Sequence, residues 1–219
     1  MKNEKLQMLN RKEEELVQSL IASIALLGMT VCFCLLIILN FVIVPIEGTS
    51  MLPGIYSTLP DENGDVVKAY TFLYKTTDVG YNDIIVIENS KGKRLIKRVI
   101  GLPGDTVSIR DTGNGIYLFI RYAGSAEDIC VDESSYIRNG KMEEGSILGQ
   151  NYIDNVKVPE GCIYVMGDNR DVSQDSRFEG PLKSSQIVGK AVAVYDRPDD
   201  EKPRIQFFFR GFEHKPLAT

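Results

Sequence analysis

The chain has 219 residues, a net charge of −5 and a pI of about 5.1. That acidic balance argues against a nucleic-acid partner, which would need a basic stripe to engage phosphates. A single histidine, His214, and four cysteines without a Cys-x-x-Cys pair cannot make a usual zinc site, so neither a metal nor another cofactor is expected.

The first element is the uncharged run from Leu20 to Ile46, "LIASIALLGMTVCFCLLIILNFVIVPI". A bilayer core of ~30 Å takes about 20 helical residues, so the run predicts one transmembrane helix with some tilt. It is longer than the apolar core of a cleavable signal peptide, and it exits through "VPIEG" rather than a small-x-small site. Cys32 and Cys34 inside it read as small hydrophobes. Lys2, Lys5, Arg11 and Lys12 precede the run, and after it the next basic residue is Lys68. The positive-inside rule then gives a cytoplasmic stub over 1–19, a span over 20–46 and an extracytoplasmic domain over 47–219.

Beyond the span, "EGTSMLPGIY" opens at Glu47 and carries Ser50, either a turn serine or a nucleophile. Short strand-like segments follow: "IIVIEN" from Ile84, "RLIKRVI" from Arg94, "DTVSIR" from Asp105 and "GIYLFIRY" from Gly115. The turns between them are marked by "NSKGK", by "GLPGD" as a Pro-Gly type II turn, and by "DTGN" as a hairpin. The polar stretch Ala123–Lys157 reads as an irregular insertion. Then come "CIYVMGD", "QIVGKAVAVYD" and "RIQFFFR", whose phenylalanines pack on the domain or meet lipid. Many short strands at regular turn spacing predict a mostly β domain.

A serine hydroxyl needs a base to attack. His214 sits in a charged tail and is a weak candidate. Lys97 lies mid-strand, and alternation puts it on one face with Leu95 and Val99. Apolar surroundings disfavour its ammonium form; lowering its pKa to about 8 takes ~3 kcal/mol, which burial can supply. The other reading is a strand lysine that snorkels to solvent. The third cluster is "MGDNRDVSQDSRFEG", Met166–Gly180. Arg–carboxylate pairs such as Asp175 with Arg177 could stiffen this loop into a supporting shell.

Together "SMLP", "KRVIGLPGD" and "GDNRDVSQDSR", in that order behind an apolar anchor, resemble the signature segments of bacterial type I signal peptidases of the Gram-positive type. The resemblance runs from about Leu20 to Val194. It implies a coiled antiparallel β-sheet fold with a shallow apolar substrate groove. It implies Ser50 as nucleophile, Lys97 as general base, and Ser173 as the hydroxyl that orients the lysine amine. Asp168, Asp175, Arg177 and Arg98 would hold the site together. The Ser50 backbone N–H would donate to the oxyanion. Gly48 stands where some members carry a second hydroxyl donor, and Val172 replaces a common asparagine. Ile46, Met51, Leu95 and Ile96 match the groove lining. The partners so implied are the bilayer, the secretion translocon nearby, and preprotein signal peptides with small residues at −1 and −3, docked as an extended strand.

Other readings are a self-cleaving repressor of the SOS type, which would bind DNA, a non-catalytic relative acting as a chaperone or assembly factor for surface proteins, and an anchored ligand-binding β-domain. Presence of both Ser50 and Lys97 speaks against the second. Whether Cys130 and Cys162 pair as a disulfide is a matter of geometry.

Overall fold

The computed structural model describes residues 2–46, 49–51, 55, 69–89, 92–137, 142, 153–196, 204–208, 214 and 216. It divides into two units, Met1–Phe41 and Val42–Thr219.

The first unit is one helix, α1 (Lys2–Asn40). Its stretch Arg11–Asn40 has a window of mean hydropathy 2.7 and is long and apolar enough to cross a membrane. Ser23 and Thr30 donate their hydroxyls to the carbonyls of Ser19 and Leu26 one turn back, at 2.9 Å each, so these polar groups are satisfied inside the helix. The apolar run does not stay helical to Ile46. Asn40 turns its side-chain amide onto Leu36 O at 2.7 Å, and "FVIVPI" follows as strand β1 (Phe41–Ile46). Branched Val42, Ile43 and Val44 favour the extended chain, and Pro45 has no N–H to continue a helix. The stub read over 1–19 is helical from Lys2 and continuous with the apolar run.

The second unit is mostly β. One sheet has eight strands: β1, β2 (Ala69–Tyr74), β11 (Ile187–Asp196), β3 (Ile84–Glu88), β4 (Arg94–Gly101), β9 (Cys162–Met166) and β10 (Leu182–Lys183) in spatial order, with β12 (Arg204–Phe207) also paired to β11. The other has four: β7 (Ile129–Cys130), β6 (Ile116–Arg121), β5 (Thr106–Asp111) and β8 (Ile153–Lys157). All seven segments read as strands from sequence are strands here. The stretch 123–157 was expected to be irregular. Instead its described parts supply β7 and β8, two of the four strands of the second sheet.

One link between the sheets is the Pro-Gly turn. Asp105 N–H bonds Leu102 O at 3.1 Å and Gly104 has φ +90°, the geometry a type II turn requires. Asp105 is fully buried there; its carboxylate accepts from Leu102 N–H, Tyr81 OH and Ala123 N–H at 2.8–2.9 Å.

Strand β4 runs between β3 and β9, so its backbone is paired on both edges. Alternation along it feeds two separate clusters. Leu95 and Val99 join Ile85, Ile87, Ile163 and Val165, while Ile96 joins Met51, Val44, Ile84 and Val86.

Candidate active site

Lys97 sits in the middle of β4, with Ile85 as its partner across β3 and Leu95 and Val99 on its own face. It is 2 % exposed. Burial pulls its amine from an ordinary 10.5 down to about 8; the Asp175 carboxylate opposes that shift and Arg177 reinforces it. Its Nζ lies 3.0 Å from Ser50 Oγ. The snorkelling alternative is therefore not realised: the amine points at a hydroxyl inside the domain rather than at solvent.

Ser50 is half-buried in a turn, and the carbonyls of 49–51, its described part, are engaged. Thr49 O accepts from Asn169 Nδ2 at 3.0 Å, Ser50 O from Asn169 N–H at 3.0 Å, and Met51 O from Ile55 N–H at 2.8 Å. Met51 is fully buried and Ile55 is 1 % exposed, so the residues after the serine anchor it in the same cluster as Ile96.

The loop after β9 closes over this turn. An added Cβ at Gly167 would run into the Ser173 side chain and the Ser50 carbonyl, so glycine is what lets the loop lie against the serine's backbone. Asp175 caps the short helix α2 (Ser176–Glu179) through Arg177 N–H and also accepts from Gly167 N–H at 2.9 Å. Arg177 forks onto the same carboxylate at 2.8 and 3.0 Å and donates to Arg170 O and Ser173 O. Burial alone would raise the Asp175 carboxyl. Arg177, the Gly167 N–H and the nearby Ser173 hydroxyl instead hold it below the usual range.

Arg98 grips Asp168 with two bonds of 2.7 and 2.6 Å and donates to Asn82 O. Burial works against the charge on Arg98, yet the Asp168 carboxylate raises its pKa above the ordinary value. Arg98 also lies 4.1 Å over the Tyr136 ring.

Several expected residues stand differently. The Ser173 hydroxyl is buried without a well-formed hydrogen bond; it does not bond the Lys97 amine. Leu95 and Ile96 fall in different clusters because they are neighbours on one strand, so they cannot line a single face together. Gly48 lies outside the described residues, as does the side chain of Ile46. Val172 is exposed at 49 % on the loop. Cys130 and Cys162 are both free thiols. His214 is buried rather than loose in a tail: its Nε2 faces Ile100 O at 2.7 Å and its Nδ1 faces Asn82 Nδ2 at 3.3 Å. Both of its nitrogens are engaged away from Ser50.

Residues that the sequence did not single out are Gly167, Asn169, Arg170, Glu133 and Tyr136. The first three lie inside the polar loop already noted. The last two lie in the stretch taken for an insertion, where no periodicity marks them.

Residues 18–195 match the sequence profile of the family described as signal peptidase, peptidase S26. Signal peptidase I of Bacillus caldolyticus is 36 % identical over 151 residues, covering 66 % of this chain and 74 % of that protein. Signal peptidase I V of Bacillus subtilis is 34 % identical over 149 residues, with coverage of 68 % and 82 %. Signal peptidase IB of Staphylococcus aureus is 33 % identical over 175 residues, with coverage of 75 % and 84 %. A solved structure of a signal peptidase I from Enterococcus faecalis is 30 % identical, covers 52 % of this chain and 96 % of that one, and has a TM-score of 0.37.

Proposed function

The chain belongs to the signal peptidase family, peptidase S26; it is a serine endopeptidase that removes signal peptides, and we propose that it does so through a Ser50–Lys97 dyad and an acyl-enzyme. The supporting observation is the 3.0 Å approach of a buried Lys97 amine to Ser50 Oγ.

In this reading neutral Lys97 takes the Ser50 proton as Oγ attacks the scissile carbonyl. The backbone N–H of Ser50 donates to the oxyanion. When the C–N bond breaks, the Lys97 ammonium gives its proton to the leaving amine. Lys97 then deprotonates a water, which attacks the acyl carbonyl, and the proton returns to Ser50 Oγ. The signal peptide leaves with a new carboxylate.

Asp168, Arg98, Asp175 and Arg177 hold the walls of this site, and Ser173 fills the space over Gly167. Met51 and Ile96 belong to the apolar side that receives small residues at −1 and −3. The part of α1 from Leu20 to Asn40 anchors the protein in the bilayer, with 1–19 cytoplasmic, 47–219 outside and the translocon close by. The basic residues before the span support that orientation.

The test is preprotein cleavage in detergent with Ser50→Ala and Lys97→Ala. Both variants should lose turnover; full activity in either would sink the dyad.

A further inference from the structure

A third ion pair holds the loop, and its acid comes from a part of the chain with no assigned role. Glu133 is 1 % exposed and Arg170 is 5 % exposed. They bond twice, at 2.8 and 2.5 Å. Tyr136 OH donates to Glu133 Oε1 at 2.8 Å. Glu133 and Tyr136 follow β7, the edge strand of the four-stranded sheet, whereas Arg170 belongs to the loop that touches the nucleophile.

Buried ion pairs are often neutral for stability when both partners are replaced, so burial alone assigns this one nothing. What it holds is informative. Arg170 Nε donates to Gly167 O at 3.1 Å, and Gly167 is the residue that abuts the Ser50 carbonyl. The next-but-one residue, Asn169, holds both Thr49 O and Ser50 O. On its other side the Tyr136 ring lies under Arg98, which grips Asp168 in the same loop.

We propose that Glu133 and Tyr136 are positioning residues for signal-peptide cleavage: from the turn that follows β7 they fix Arg170 and Arg98, and through Gly167 and Asn169 they set the place of the Ser50 turn. Neither touches the reacting atoms. The assignment rests on Ser50 being the nucleophile. Misplacement on the order of 1 Å costs about 100-fold in rate, so a loosened turn should register in kcat rather than in substrate affinity.

The experiment compares Glu133→Gln, Tyr136→Phe and the double variant Glu133→Gln with Arg170→Met, using full-length protein in detergent and a preprotein substrate. Glu133→Gln should lower kcat by about 10–100-fold with KM within about threefold of the parent. Tyr136→Phe keeps the ring under Arg98 and loses only the hydroxyl, so it should show a smaller fall in kcat, which is measurable even if Glu133→Gln folds poorly. The double variant removes both charges. It should regain thermal stability without regaining kcat, because Gly167 O still lacks its donor. A kcat that recovers along with stability, a KM rise at unchanged kcat, or parental kcat in Tyr136→Phe would overturn the proposal. Ser50→Ala is run alongside: an active Ser50→Ala sinks the dyad itself, whereas an inactive one beside fully active Glu133 and Tyr136 variants sinks only the positioning role.

Discussion

Lys97 Nζ stands 3.0 Å from Ser50 Oγ, although the two residues are 47 positions apart and lie on a central strand and in a turn. An ammonium at that distance donates to the hydroxyl; a neutral amine accepts from it. Under the proposed dyad only the second arrangement can start the reaction. The Lys97 pKa of about 8 sets where the change occurs, burial being the main cause. The rate kcat/KM for preprotein cleavage should therefore rise about tenfold per pH unit below about 8 and level off above it. A limb centred near the ordinary histidine value would assign the base elsewhere.

The same shift acts on stability. The folded pKa lies below the unfolded value of 10.5, so the unfolded chain binds more protons between the two. Stability then rises with pH from about 8 to 10.5, and below that window the buried ammonium costs about 3 kcal/mol. Lys97→Met should abolish cleavage yet raise the melting temperature at pH 7, with the difference from the parent shrinking toward pH 10. Equal melting temperatures at pH 7 would show that the lysine keeps its hydration.

Much of this was legible beforehand, for identifiable reasons. Strands β3 to β6 and β9 carry branched and aromatic residues between strong turn formers, and alternation alone put Lys97 with Leu95 and Val99. The end of α1 was not legible, because a continuous apolar run has no periodicity to separate helix from strand. Only Asn40 and Pro45 hinted at the break. Glu133 and Tyr136 escaped for a different reason. A buried charge is recognisable by its partner, and Arg170 lies 37 positions away along the chain, on a different element.

Gly167 offers a sharper test of the loop. Its missing Cβ leaves room for the Ser173 side chain and the Ser50 carbonyl, so Gly167→Ala forces one of them to move. Overpacking of this kind costs about 1–3 kcal/mol, and one of the two groups in the way is the backbone of the proposed nucleophile. The variant should fold with a modestly lower melting temperature and lose most of its kcat. Retention of parental kcat would mean that the loop yields instead of the Ser50 turn.

His214 is buried with two polar contacts, and neither of them is to the proposed dyad. Facing a carbonyl, Nε2 carries the proton, and Nδ1 accepts from Asn82; the neutral ring satisfies both contacts. Burial lowers its pKa below the ordinary 6.5, with Ile100 O, Glu133 and Asp105 opposing and Arg98 adding to the shift. A depressed pKa means that the stabilisation is complete above 6.5 and is lost as pH falls through 6.5 toward the lower folded value. His214→Ala should cost about 1–3 kcal/mol at pH 8, mainly by leaving Ile100 O without its donor. It should also flatten the fall in melting temperature below pH 6.5, while kcat/KM at pH 9 stays within a few-fold of the parent because Lys97, not His214, faces Ser50. Loss of cleavage at pH 9 in a variant that still melts cooperatively would place the histidine in the chemistry after all.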